Sequence, residues 1–187
     1  MKRDDQLAEY APSSSERVRD QVALYEATGG REGGTLEGRP VVILTMTGAK
    51  SGKIRKTPVM RIESDGTYVA VASAAGAPGN PAWYYNLIAH PDVRLQDGAE
   101  VRFLRAREVF GQEKTEAWKL AESRWPHFPE YRAQAGREIP ILLLEPAATT
   151  RCGIHLPGCH LGASASSLDE CSQTADTRLA PGNARCC

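Results

Sequence analysis

Two Asp-Gly pairs, Asp65 with Gly66 and Asp97 with Gly98, each stand between short segments of strand-forming residues. Asp-Gly is a strong signal for a two-residue hairpin turn, because both central positions of that turn require a positive φ. The segments that flank the two turns are residues 56–63, 67–73, 93–95 and 100–109. Strands joined by such turns are antiparallel, so this feature argues against a doubly wound parallel sheet.

The remaining segments add two strands and three helices. An apolar run at residues 41–47 and "IPILLLEP" at 139–146 predict buried strands. A serine of 13–15 caps a helix at 16–27, Asn80 caps a short helix that starts at Pro81, and residues 112–125 form a third helix. Pro126 and Pro129 are expected to break the chain after it. This order predicts an α+β fold with a barrel-like sheet.

A cluster of cations follows the first apolar strand, in "VILTMTGAKSGKIRKTPVMR" at residues 42–61. A phosphate-binding P-loop is excluded, because three residues separate Gly48 from Gly52 where the P-loop has four, and Ile54 stands where the required hydroxyl would be. Two interpretations remain. The cluster is either a solvated turn or a hairpin whose glycines let the backbone approach an anion that the cations neutralise. The cations are Lys50, Lys53, Arg55, Lys56 and Arg61.

Chain-level properties exclude several classes of partner. The 23 basic residues equal the 23 acidic ones, so the overall basic field of a nucleic-acid-binding protein is missing. No apolar run approaches the ~20 residues of a membrane span, and the N-terminal residues have no signal-peptide core. A cytoplasmic location is therefore expected.

Composition changes after Pro146, where Ala, Ser, Gly and Thr become frequent and no hydrophobic period persists. We expect a flexible N-terminus at 1–14, a folded domain at 15–146 and a disordered C-terminal extension at 147–187. The spacing of Cys and His in this extension matches no common zinc pattern, so no metal site is expected. All five cysteines lie there: Cys152, Cys159, Cys171, Cys186 and Cys187.

Several longer motifs occur in a characteristic order. They are "VRDQVALYEATGG", "GRPVVILTMTGAKSGKIRKTPVMR", "DGTYVAVAS", "GNPAWYYNLIAHPDV", "RAREV" and "REIPILLLEP". With them the chain resembles, over residues 15–146, the deazaflavin (coenzyme F420)-dependent nitroreductase family, a group of actinobacterial proteins. The resemblance implies a split β-barrel of the FMN-binding type with flanking helices. It also implies a site for coenzyme F420, a deazaflavin whose side chain carries a phosphate and several glutamates.

The resemblance places Lys50, Ser51 and Arg55 at phosphate-contacting positions, the backbone of residues 55–60 along the deazaflavin and residues 71–74 facing its ring. Amides at the start of the short helix complete the anion pocket, since helix N-termini favour negative charge. The implied cofactor-binding residues are Ala49, Lys50, Ser51, Arg55, Lys56, Thr57, Pro58, Val59, Met60, Val71, Ala72, Ser73, Ala74, Ala82, Trp83, Tyr84, Tyr85 and Asn86.

The resemblance also implies a substrate pocket with Trp125, Phe128 and Tyr131 as a mobile wall, although the same aromatics could simply pin a loop between prolines. Tyr131 and Ser73 are the candidate catalytic residues, each a possible proton donor beside water. The chain departs from the family where Ala75 replaces a usual glycine and where Gly79 and Asn80 replace a frequent Lys-His pair. These departures bear on cofactor affinity.

The implied activity is hydride transfer from reduced F420 to a quinone, enone or nitro-heteroaromatic acceptor. Two alternatives stay open: a non-catalytic carrier of a deazaflavin or haem-like ligand, and an FMN-dependent reductase, because Lys50 and Arg55 suit either phosphate. The protein is expected to be a monomer or homodimer. Membrane contact is at most peripheral, at the inner face of the cell membrane, because the helix at 16–27 carries charges around a thin apolar stripe.

Overall fold

The computed structural model describes residues 8–146, and the predictions for residues 1–7 and 147–187 lie outside this part of the chain. Its helices are α1 (Glu16–Thr28), α2 (Ala82–Ala89), α3 (Gly111–Arg124) and α4 (Phe128–Ala135). Its strands are β1 (Thr35–Leu36), β2 (Arg39–Thr47), β3 (Ile54–Met60), β4 (Glu63–Ser64), β5 (Thr67–Val71), β6 (Asp92–Asp97), β7 (Glu100–Glu108) and β8 (Ile141–Pro146). The predicted helices at 16–27 and 112–125 and the predicted strands at 41–47 and 139–146 are confirmed.

The strands form one antiparallel sheet in the order β1-β2-β6-β7-β8-β5-β4, and β3 also pairs with β2. Two strands, β6 and β7, separate β2 from β8. Even so, Val42 and Leu44 of β2 pack in the same apolar cluster as Leu142 and Leu144 of β8. The sheet must therefore curl around that cluster, which gives the α+β split β-barrel with flanking helices that the sequence predicts.

Helices α1, α3 and α4 cover the outer face of the curled sheet, whereas Leu87 of α2 packs in the enclosed cluster. Val22 and Tyr25 of α1, both 2% exposed, pack against Val41 and Ile43 of β2. On the other side, α3 and α4 contribute to a separate apolar cluster that includes Ile141 of β8. Strand β2 is thus buried on both faces, which explains why its sequence is continuously apolar rather than alternating.

Both predicted hairpins form, but only the first has Asp-Gly at its two turn positions. In the second, Asp97 pairs with Glu100 at the end of β6, so the turn lies at Gly98 and Ala99. The strand predicted at 56–63 is divided between β3 and β4. Asp65 and Gly66 have φ values of 51° and 81° and join β4 to β5. Strand β3 ends at Met60, because Ile62 is buried in the apolar cluster formed with α3 and α4, which we call the outer cluster. Consequently β3 pairs with β2, and only the two residues of β4 pair with β5.

Two predictions about helix starts are wrong. Pro81, not Asn80, occupies the N-cap of α2, and the Asn80 side-chain oxygen is buried with no hydrogen-bond partner in the described part of the chain. Pro129 does not break the chain but lies in the first turn of α4. Proline is accepted there because the N–H that it lacks has no partner in a helix's first turn.

The described part of the N-terminus, residues 8–14, is attached to the sheet. Ile54 donates its N–H to Glu9 O at 2.9 Å, and Ala11 donates its N–H to Ile54 O at 2.9 Å. Tyr10 forms a parallel bridge with Ile54. Within the segment expected to be flexible, backbone hydrogen bonds thus join residues 9–11 to β3.

In residues 8–146, no helix is both long enough and apolar enough to cross a membrane.

Asp97, at the end of β6, accepts hydrogen bonds from Arg61 Nε at 2.7 Å and from the Tyr68 hydroxyl at 2.8 Å. Burial and then this bond to Asp97 raise the pKa of Tyr68 to about 12. A raised tyrosine pKa stabilises the fold below the unfolded value of about 10, and that contribution is lost as pH rises from about 10 to 12.

We therefore expect Tyr68→Phe to lose less stability than the wild type between pH 9 and pH 12. Phenylalanine does not ionise, so the linkage through residue 68 disappears. Urea unfolding at several alkaline pH values, with tyrosinate absorbance of the native protein alongside, measures the difference. Parallel stability curves for the two proteins would contradict the assignment.

Candidate functional site

A cavity of about 910 Å³ lies beside the hairpin that joins β2 to β3, next to the start of α2 and the N-terminal segment. Its size falls within the range of small-molecule and cofactor sites. The lining residues are Ser13, Ser14, Met46, Gly48, Ala49, Lys50, Ser51, Arg55, Lys56, Thr57, Asn80, Ala82, Trp83, Tyr85 and Asn86. Ten of the predicted cofactor-binding residues are among them.

The hairpin is a tight turn closed by backbone hydrogen bonds. Gly48 donates its N–H to Lys53 O at 2.8 Å, and Gly52 donates to Gly48 O at 2.9 Å. A Cβ added at Gly48 would lie 2.8 Å from Ser51 Oγ and 3.2 Å from Lys53 O, so a side chain there would require Ser51 or the hairpin backbone to shift. The turn presents exposed Lys50 and Ser51 together at the cavity.

Asn86 of α2 fastens this hairpin to the helix, because its Oδ1 accepts the Ala49 N–H at 2.9 Å. We expect Asn86→Ala to weaken binding of an anionic ligand about fivefold, since the hairpin would lose its fixed position at a cost of about 1 kcal/mol. Ligand titration of both proteins measures the change.

Asn86→Asp provides the matched control for that experiment. Aspartate keeps an acceptor for the Ala49 N–H, so thermal stability should stay near that of the wild type, but it adds negative charge beside an anion site. Unchanged ligand affinity in both variants would show that Asn86 does not organise the site.

Three of the five clustered cations are paired with carboxylates of the fold. The pairs are Lys53 Nζ with Glu9 Oε2 at 2.9 Å, Lys56 Nζ with Glu26 Oε2 at 2.7 Å and Arg61 Nε with Asp97 Oδ2 at 2.7 Å. The sequence cluster therefore overstates the positive charge that is available to a ligand.

Within residues 8–146, Arg55 and Lys50 are the cavity-lining cations that pair with no carboxylate. Arg55 Nη1 donates to the carbonyl oxygens of Ala11 at 3.2 Å and Pro12 at 3.3 Å, which are neutral acceptors. Lys50 makes no ion pair within residues 8–146 and is exposed at the hairpin tip. Of the two, Lys50 is better placed to move onto a bound anion.

The outer edge of β3 carries backbone groups that β2 does not use. The bonds from Gly48 N–H to Lys53 O and from Arg61 N–H to Pro40 O fix the alternation along the strand. The backbone groups of Lys56, Pro58 and Met60 therefore point away from β2. Beyond Ile54, this edge pairs with no other strand of the described chain. It offers donors and acceptors to a flat ligand along the residues predicted to line the deazaflavin.

Helix α2 contributes the opposite wall through Ala82, Trp83 and Tyr85. Its first-turn N–H groups and the helix dipole favour an anion. Tyr84, although predicted as a cofactor contact, lies outside the lining. It packs against the apolar cluster that the sheet encloses, which we call the inner core, and donates its hydroxyl to Glu108 Oε2 at 3.0 Å. Burial, followed by this hydrogen bond, raises the pKa of Tyr84.

The other predicted cofactor residues also lie outside the cavity lining: Pro58, Val59, Met60, Val71, Ala72, Ser73 and Ala74. Val59 packs against the inner core, and Val71 packs against the outer cluster. Ala72 and Ser73 are buried, at 0% and 9% exposure.

The aromatic residues predicted to form a mobile substrate wall are largely core residues. Trp125 and Phe128 are each 3% exposed, and Phe128 packs edge-to-face on Trp118 at 5.9 Å between ring centres. Their burial corresponds to the alternative in which they pin the chain. Tyr131 is half-buried and lies edge-on to Phe128 at 6.2 Å, outside the cavity lining.

Five lining residues are not among the predicted cofactor-binding residues, although Gly48 belongs to the hairpin whose glycines were expected to approach an anion: Ser13, Ser14, Met46, Gly48 and Asn80. The two serines were assigned only to helix capping, and nothing local indicates that the N-terminal segment crosses β3. Gly48 did carry a signal, because a glycine directly after a buried strand indicates close backbone approach.

Two solved structures share the fold at high sequence identity. One is described as an F420-H2 dependent reductase, FDR-A. It is 46% identical, with a TM-score of 0.54, and the match covers 57% of this chain and 95% of that one. The other is described as a domain-swapped dimer. It is 42% identical, with a TM-score of 0.56, and the match covers 68% of this chain and 96% of that one. Fold and cavity together define a split β-barrel oxidoreductase.

The particular family follows from the sequence comparisons. The profile of the F420H(2)-dependent quinone reductase family matches residues 17–146. The F420H(2)-dependent quinone reductase Rv1261c of Mycobacterium tuberculosis is 32% identical over 126 residues, which is 65% of this chain and 85% of that protein. The chain belongs to the F420H(2)-dependent quinone reductase family. The prediction of an F420-dependent reductase from the motifs is thereby confirmed.

Proposed function

We propose that this protein binds coenzyme F420 in the cavity beside the β2–β3 hairpin and transfers hydride from its reduced form to a quinone. The observation that carries the site assignment is the uncompensated charge of Lys50 on a hairpin that faces the start of α2. A phosphate needs such a combination of cation, hydroxyl and helix N–H groups.

The residues of the cavity fit the cofactor's chemistry. Lys50, Ser51 and the first turn of α2 suit the phosphate, and Trp83 offers an aromatic face. The open edge of β3 offers backbone hydrogen-bonding groups at Lys56 and Met60 to a planar ring. Binding here would use interactions that the fold leaves unsatisfied. The remaining predicted contacts, at Val71, Ala72, Ser73 and Ala74, stay part of this proposal through their backbone.

When bound, reduced F420 supplies a hydride, because carbon replaces the reactive ring nitrogen of a flavin. The protein's part is to hold the phosphate with Lys50 and Ser51, to fix the ring along β3 and to keep the acceptor close to it. Proximity and orientation of this kind account for much of the rate enhancement in cofactor enzymes. The quinone acceptor also needs a proton, which comes from water, Tyr131 or Ser73.

Replacing Tyr131 by phenylalanine separates these proton sources. If the Tyr131 hydroxyl is the donor, kcat should fall about a hundredfold while F420 affinity stays within twofold, in line with typical general-acid contributions. Ser73→Ala is the parallel variant for the second candidate. Stopped-flow oxidation of the reduced cofactor measures both, and unchanged kcat in both variants would leave water as the donor.

The acceptor class rests on the family and on relatives described as quinone reductases. Enones and nitro-heteroaromatics remain further candidates. We place the reaction in the cytoplasm with at most peripheral membrane contact. The side chains of Val22 and Tyr25 are buried against β2, so helix α1 presents no continuous apolar face to a lipid surface.

Fluorescence titration of the purified protein with F420 and, separately, with FMN tests the proposal. Reduced F420 is then mixed with protein and menadione while absorbance of the deazaflavin band is followed. Preferential F420 binding with menadione-dependent oxidation is expected. Binding without turnover would indicate a carrier, and FMN preference would overturn the cofactor assignment. Light scattering of the same sample distinguishes a monomer from a homodimer, the latter suggested by the domain-swapped relative.

A further inference from the structure

The loop that follows β5 has an unusual backbone. Ala74, Ala75 and Gly76 have consecutive φ values of 48°, 52° and 79°. Alanine rarely adopts this left-handed region, because its Cβ approaches the neighbouring carbonyl oxygen. Two strained alanines in succession persist only when surrounding groups hold them there.

Arg137 provides such a hold from the segment between α4 and β8. Its Nη2 donates to Ala72 O at 3.0 Å, to Ser73 O at 3.4 Å and to Gly79 O at 3.0 Å, and its Nε donates to Ala77 O at 3.2 Å. A fifth bond reaches the carbonyl oxygen of neighbouring Glu138 at 3.3 Å. One guanidinium therefore contacts the loop before and after its strained turn.

Within residues 8–146, the guanidinium of Arg137 donates hydrogen bonds only to these backbone carbonyl oxygens. Among residues 8–146 no carboxylate lies within 4.0 Å of its guanidinium. An ionised donor forms stronger hydrogen bonds than a neutral one, so the contacts to the loop are charge-assisted. Helix α4 supports the turn from another side, because a Cβ on Gly76 would lie 2.9 Å from Gln134 Oε1 and 3.4 Å from Tyr131 Cα.

We propose that Arg137 is a positioning residue of the reductase, which clamps the Ala72–Gly79 loop and so fixes the wall of the cofactor site. Ser73 lies at one end of the clamped segment, and Asn80, which lines the cavity, directly follows the other end. The loop also contacts α4 next to Tyr131. Its role in catalysis rests on the proposed function, whereas the clamp itself is a property of the fold.

Hydrogen exchange of the cofactor-free protein tests the clamp without any dependence on F420. In Arg137→Ala, the amides of Gly76 and Ala77, which donate to Ser73 O and Ala74 O, should exchange at least tenfold faster. Exchange in β2 and β6 should not change. Arg105→Ala, which removes an exposed arginine from β7, is the matched control and should leave the loop unaffected.

Two further variants keep the test decisive. Arg137→Lys preserves the charge but not the fork of donors. We expect this variant to fold and still to show faster exchange in the loop. Adding Ala75→Gly to Arg137→Ala relieves the strained φ and should restore part of the protection. F420 affinity and kcat/KM should fall about tenfold in Arg137→Ala and recover with millimolar guanidinium.

Wild-type loop exchange in both Arg137 variants would overturn the clamp. Faster exchange with unchanged F420 affinity and kcat/KM would overturn its positioning role. If the wild-type protein itself binds no F420, the proposed function fails, while the exchange data still decide whether Arg137 holds the loop.

Discussion

Replacing Lys50 by glutamine is expected to weaken F420 binding by roughly ten- to a hundredfold and to leave thermal unfolding unchanged. Charged hydrogen bonds contribute about 1.5–3 kcal/mol, and the lower part of that range applies because Lys50 is exposed to screening solvent. Stability should not change, since Lys50 makes no ion pair within residues 8–146. Fluorescence titration at two salt concentrations measures both the loss and its screening.

Lys53→Gln is the matched control on the same hairpin. It removes the same charge three residues further along, but Lys53 pairs with Glu9 and does not line the cavity. Its effect on F420 affinity should stay within about threefold. Equal losses in the two variants would indicate a general electrostatic field rather than a phosphate contact, and no loss in either would remove the hairpin from the site.

Replacing Gly30 by alanine is expected to lower the free energy of unfolding by roughly 3 kcal/mol, as the sum of backbone strain and overpacking. Gly30 has a φ of +77°, and an added Cβ would lie 2.7 Å from the Cα of Gly98 and 3.0 Å from Tyr25 Cζ. Tyr25 cannot move aside easily, because its hydroxyl accepts the Gly98 N–H at 2.7 Å. Urea unfolding measures the loss.

Gly38→Ala separates the two contributions. Gly38 has a similar φ of +72°, but apart from its chain neighbours no heavy atom of residues 8–146 lies within 4 Å of an added Cβ. It should cost about 1 kcal/mol from backbone strain alone. A Gly30 variant no less stable than the Gly38 variant would mean that the contact between the α1 end and the β6–β7 turn is looser than the structure shows.

Local patterns in the sequence were sufficient for most elements of the fold. The Asp65 and Asp97 turns depend on adjacent residues, and the continuous apolar run of β2 reflects burial on two faces. The partner of β3 could not be predicted from the Asp65 turn, because burial of Ile62 redirects the chain. That burial depends on packing with α3 and α4, which are distant in sequence.

The same distinction between contiguous motifs and distant contacts applies to the candidate site. Hairpin residues Lys50 and Ser51 and the start of α2 were predicted from contiguous motifs, and they line the cavity. The partners that neutralise Lys53, Lys56 and Arg61 were not predicted, since Glu9, Glu26 and Asp97 are separated from them along the chain. A count of cations in a sequence therefore does not measure the charge that a ligand meets.

The edge of β3 that pairs with no other strand of residues 8–146 also bears on how the protein avoids self-association. A sheet edge with free N–H and C=O groups is a template for strands of other molecules, including copies of the same chain. Pro58 points outward at the middle of this edge and has no N–H, so an incoming strand would lose a hydrogen bond there and meet a rigid ring. The same residue leaves the flanking groups of Lys56 and Met60 available to a small planar molecule. Pro58 thus disfavours strand addition at the edge along which the proposed cofactor site extends.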